Sequence, residues 1–109
     1  MDEVKYLPQQ AIQRLFNETQ YPTMITDGSL TPEFLRDAHL REPETRGEPP
    51  CTRSQMIRYR DQAGQWRVEV HQYLRPNKTL GARGRPDPKR VRVGNTVFIV
   101  DTQRSSHQG

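Results

Sequence analysis

The chain has 109 residues, of which only 31% are hydrophobic and nine are proline, so we expect one domain with a modest core. A single cysteine, Cys51, excludes an intramolecular disulfide and fits a reducing compartment. The first residues lack the segments of a signal peptide, and the longest apolar run, Val97 to Val100, is far too short to cross a bilayer. These features predict a soluble cytoplasmic protein without membrane contact.

The first half of the chain predicts two helices. Residues 8–20 form the first, because their apolar side chains recur at helical spacing and share one face: Ile12, Leu15 and Phe16. Thr31-Pro32-Glu33 offers the N-cap, first-turn proline and early acid that start a second helix, whose inner face would hold Phe34, Leu35 and Ala38. Residues 24–29 between them are predicted as a short strand or a loop, and residues 41–53 as a proline-rich linker.

The second half predicts two β-hairpins. Residues 55–60 and 66–74 flank a turn at 61–65, and polar side chains alternate with apolar ones along the second strand. Residues 90–93 and 96–101 flank Gly94-Asn95, a two-residue turn. The predicted fold is therefore α+β: two N-terminal helices packed on a small antiparallel sheet of three or four strands, with a long basic loop joining the hairpins. We expect a single domain over residues 1–101 and a flexible tail over 102–109.

Charge is divided unevenly along the chain. Residues 1–50 hold five basic and nine acidic side chains, a formal −4, whereas residues 51–109 hold twelve basic and four acidic, a formal +8. The excess concentrates in residues 75–92, RPNKTLGARGRPDPKRVR, where seven Lys or Arg accompany one acid. A positive surface of this kind attracts phosphate, so the sequence favours a nucleic-acid-binding module, with RNA and DNA both open.

The predicted nucleic-acid contacts come from the basic loop, the adjoining strand and one outward-facing aromatic residue: Arg75, Lys78, Arg83, Arg85, Lys89, Arg90, Arg92 and Tyr73. Two other interpretations stay open. The acidic half could fold back and neutralise the basic half, or the surface could bind an acidic protein in a domain without enzymatic activity. An exposed sheet edge would also allow two copies to pair as a homodimer.

A third interpretation is enzymatic. Alternation along residues 66–75 places Glu69, His71 and Tyr73 in a row on the outer strand face, next to Arg75. A carboxylate, an imidazole and an arginine are the groups that a metal-independent ribonuclease uses to move protons and to stabilise the phosphate. The order of elements, helices before an antiparallel sheet, also resembles that of barnase-like and toxin-type ribonucleases. The resemblance covers the order of elements only; in the ribonuclease interpretation, Glu69 and His71 are the acid–base pair and Arg75 lies at the phosphate.

The segment Arg83-Gly84-Arg85-Pro86 resembles the four-residue core of the AT-hook, a DNA-binding peptide. In that family the extended Arg-Gly-Arg lies in the narrow minor groove of A·T-rich DNA, which implies minor-groove contact for the loop. Phosphate-binding glycine motifs are absent from the sequence, and its histidines and cysteine lack metal-ligand spacing. The sequence therefore predicts neither a cofactor nor a metal.

Overall fold

A computed structural model of the chain describes residues 2–40, 47–81 and 84–101. Its elements are, in chain order, β1 (Glu3–Leu7), α1 (Gln9–Glu18), α2 (Tyr21–Thr26), β2 (Thr31–His39), β3 (Arg53–Arg60), β4 (Trp66–Leu74), β5 (Asp87–Val93) and β6 (Thr96–Val100). All six strands join one mixed sheet in the order β1-β6-β5-β4-β3-β2. The β1–β6 pair is parallel and the other pairs are antiparallel.

The expected fold class is wrong. Thr31–His39, predicted as the second helix, is the edge strand β2 and pairs with β3 along its length. Helix-start signals are a weak preference, and here the hydrogen bonds of a nine-residue ladder outweigh them. The apolar residues expected on the inner helix face, Phe34 and Leu35, are 54% and 43% exposed. An unexpected strand, β1, extends the sheet to six.

Other predicted elements correspond to real ones with shifted bounds. The helix predicted over residues 8–20 is α1, and the two predicted hairpins are β3–β4 and β5–β6. Residues 24–29, predicted as a strand or loop, belong largely to α2 and the turn that follows it. The tail at 102–109 and residues 41–46 of the predicted 41–53 linker lie outside the described residues, and Arg53 at the end of that linker begins β3.

One face of the sheet, the helix face, holds the core. Ile12 and Phe16 of α1 join one buried cluster with strand residues Ile57, Tyr59, Val68, Val70, Val91 and Val100. Because α1 is ten residues long and has no side-chain N-cap, its stability depends on this packing. Within the described ranges, no helix has the length and apolar character needed to span a membrane.

The loops after β2 and β4 meet at Glu48. Its Oε1 lies 2.8 Å from Nε of Arg75, and its side chain is only 11% exposed. Gly81 lies directly beneath the carboxylate, where an added Cβ would come within 2.6 Å of Glu48 Oε1. The basic loop is therefore tied to the acidic half at this point.

We expect Gly81→Ala to lower the free energy of unfolding by about 1 kcal/mol, because the new methyl group displaces the Glu48 carboxylate from the partly exposed Arg75. Urea denaturation measures the loss. In a Glu48→Ala background the same substitution should cost little, since the obstructing carboxylate is gone. An equal loss in both backgrounds would show that Glu48 is not the cause.

Candidate functional site

The sheet face opposite the helices, here the open face, carries the polar strand residues. Its position follows from strand alternation: Ile57 and Val70 point into the core, so Arg58 and Glu69 point the other way. Cross-strand register arranges the open face in three rows. The arginine row contains Glu33, Arg58, Glu69 and Arg90; the histidine row contains Arg36, Met56, His71 and Asp87; the tyrosine row contains Ala38, Ser54 and Tyr73.

In the arginine row, one carboxylate lies between two guanidinium groups. Glu69 Oε2 is 2.8 Å from Nη2 of Arg58, and Oε1 is 3.7 Å from Nε of Arg90. Glu69 is 8% exposed, whereas Arg58 and Arg90 are 29% and 50% exposed. This trio carries a net positive charge, and each guanidinium retains donors that can reach an anion above the sheet.

In the histidine row, His71 is held by its neighbours. Its Nε2 is 2.8 Å from Oγ of Ser54, and its ring meets Tyr73 edge-on with centroids 4.7 Å apart. Burial lowers the pKa of His71 below its usual 6.5; the charges of Lys89 and Arg36 lower it further, and that of Asp87 opposes them. The imidazole is consequently neutral at pH 7.

Two of the predicted phosphate-binding residues are engaged within the protein. Arg75 is bound to Glu48. Arg92 places Nη1 2.7 Å from Oδ2 of Asp2, lies 4.4 Å over the Trp66 ring, and is only 11% exposed. Both pairs join an acid of the first half to an arginine of the second, so the neutralisation considered from the sequence does occur at these two positions.

The other predicted residues differ in their availability. Lys78 lies on an exposed turn and Arg85 on an exposed bend, while Lys89 donates a hydrogen bond from Nζ to Gln9 Oε1 at 2.7 Å. Arg90 and Tyr73 lie on the open face. Arg83, and with it the start of the AT-hook-like segment, lies outside the described residues.

Among the predicted catalytic residues, Glu69 and His71 do share the open face, in adjacent rows. Arg75 is instead bound to Glu48 in the loop contact. Glu69 and His71 therefore lie near each other, whereas Arg75, the predicted phosphate-binding arginine, is paired with Glu48 in a loop.

Three open-face residues were missed from the sequence. Arg36 lies in the segment that was predicted as a helix, so its position on a strand next to β3 was not predicted. Arg58 could have been found, because it alternates with the core residues Ile57 and Tyr59. Ser54 carries no sequence signal, since only the β3–β4 register brings it to His71.

The described residues contain no group of three or more His, Cys, Asp or Glu side chains able to hold a metal ion. The open face can therefore offer cations, a neutral imidazole, a hydroxyl and an aromatic edge. Searches of protein-family models, curated proteins and solved structures found no match to the chain, so the functional conclusion rests on this geometry alone.

Proposed function

We propose that the protein binds nucleic acid through its phosphates, on the open face of the sheet and the adjoining basic loop. The observation that carries this proposal is the arginine row, where Arg58 and Arg90 share the single carboxylate of Glu69 and remain accessible from above. Glu33, the other carboxylate of the row, is paired with Arg60. Three guanidinium groups therefore face two carboxylates, and this excess favours a ligand with spaced negative charges.

The neighbouring residues extend the same surface. Arg36 lies one row away, and its charge reaches His71. No ion pair involves Arg36 within the described ranges. Lys78 and Arg85 add charge from the loop after β4. The phosphate-contacting set is thus Arg36, Arg58, Lys78, Arg85 and Arg90.

Tyr73 supports a single strand rather than a duplex. It is half-buried in the tyrosine row, beside the ring of His71. Single-stranded bases stack on aromatic side chains of a sheet surface, whereas paired bases are stacked within their own helix. A strand that follows the rows could place phosphates at the arginine row and a base at Tyr73.

Fluorescence anisotropy with labelled single-stranded RNA and A·T-rich duplex DNA, over a salt series, tests the proposal. We expect RNA binding that weakens steeply with salt. Arg90→Gln should make the slope of log K against log salt shallower by about 0.7, the contribution of one phosphate contact. The matched control is Arg14→Gln on α1, which removes the same charge from an exposed helix position and should leave the slope unchanged.

Two outcomes would change the proposal. Preferential binding to A·T-rich duplex would move the interface to the Arg83–Pro86 segment and its resemblance to the AT-hook. Absence of binding to either nucleic acid at low salt would overturn the proposal and leave the open face to an acidic protein partner.

A ribonuclease remains the second candidate, favoured by Glu69 and His71 lying together on the open face with a neutral imidazole. The engagement of Glu69 by two arginines argues against it, because both carboxylate oxygens already face guanidinium groups instead of a substrate hydroxyl. Gel analysis of RNA recovered from the binding assay separates the two functions. Cleavage lost in His71→Ala with affinity retained would establish the enzyme.

A further inference from the structure

Phosphate binding does not account for the contact between Ser54 and His71 on the open face. Oγ of Ser54 and Nε2 of His71 are 2.8 Å apart, a distance typical of the hydrogen bond between a nucleophilic serine and the histidine that acts as its base. A neutral imidazole has one acceptor nitrogen, so a hydroxyl that donates to Nε2 requires the proton on Nδ1. Asp87 lies directly opposite His71 on β5, and its negative charge favours the imidazolium that forms when His71 accepts the proton.

We propose that Ser54 is a nucleophile activated by His71, with Asp87 stabilising the imidazolium, and that the site hydrolyses carboxylic esters bearing a negative charge. The charge preference follows from Arg36, which lies in the same row of the open face as His71. Ser54 itself is 8% exposed and lies at the floor of the open face. Its cross-strand neighbour toward the sheet edge is Ala38, which carries only a methyl group.

The reaction needs only ester and water. Ser54 Oγ attacks the carbonyl carbon as His71 Nε2 accepts the hydroxyl proton, giving a tetrahedral oxyanion near Arg36. Collapse of this intermediate breaks the ester C–O bond, and His71 returns the proton to the leaving alcohol. Water then attacks the acylated Ser54 with His71 again as base, releasing the carboxylic acid and the free serine.

A fluorophosphonate probe tests this nucleophile without any nucleic acid. Intact mass and peptide mapping should show one phosphonylated residue, Ser54, in the folded protein and none after heat denaturation. His71→Gln should slow labelling roughly 100-fold, the scale of a positioned general base. The labelling rate at pH 6.5 should still exceed half of its maximum, because the pKa of His71 lies below 6.5.

Ser54→Ala should abolish labelling, and Ser29→Ala, a serine on a turn remote from His71, should leave it unchanged. Circular dichroism confirms that each variant is folded. Labelling that persists in Ser54→Ala, or a folded wild-type protein that stays unlabelled, would overturn the proposal. Either result is independent of whether the open face binds RNA.

Discussion

Replacing Ile12 with alanine is expected to lower the free energy of unfolding by about 2–5 kcal/mol, the range found when a buried isoleucine is truncated. Ile12 is fully buried at the centre of the contact between α1 and the sheet. Alanine is the better helix former, but that advantage amounts to a few tenths of a kcal/mol and cannot offset the cavity. Small domains are stable by only about 5–15 kcal/mol, so the expected loss is a large share of the total.

Urea denaturation followed by circular dichroism measures this effect. The control is Arg14→Ala, an exposed position on the same helix, which should change stability by less than about 0.5 kcal/mol. Similar losses in the two variants would mean that α1 contributes little to the fold. A large loss for Ile12→Ala alone would show that packing holds this uncapped helix in place.

The difference between Ile12 and Phe34 explains how far sequence patterns could predict the fold. Ile12 and Phe16 recur at helical spacing and are buried against the sheet, so their pattern correctly predicted a helix packed on the core. Phe34 and Leu35 follow a similar pattern, but they lie on an edge strand beyond the reach of the helices. No core surface lies against these two side chains, so their helical spacing does not correspond to a helix. Backbone hydrogen bonding to β3 makes the segment a strand instead.

The same limit applies to the site. Alternation along β4 was sufficient to place Glu69, His71 and Tyr73 on one outward face. It could not show that Ser54 meets His71, because that contact depends on register between two strands. Nor could local charge show that Arg75 and Arg92 are neutralised, since their partners Glu48 and Asp2 are 27 and 90 residues distant in sequence.

Glu69→Gln is the substitution that should separate stability from binding. It removes the negative charge that Arg58 and Arg90 share, so we expect the free energy of unfolding to fall by about 1–3 kcal/mol. RNA affinity should rise about fivefold, because two partly exposed guanidinium groups become available to phosphate and an ion pair with such a group contributes up to about 1 kcal/mol. Denaturation and anisotropy on the same preparation measure both quantities.

The opposite signs make this result hard to obtain by accident, because a substitution that merely loosens the fold should weaken binding as well. Glu33→Gln is the matched control: it removes the same charge from the same row, but from an exposed pair with Arg60 at the sheet edge. It should alter stability by less than about 1 kcal/mol and affinity little. Reduced RNA affinity in Glu69→Gln would show that the carboxylate holds the arginines in their binding geometry, whereas loss of RNA cleavage in that variant would favour the ribonuclease.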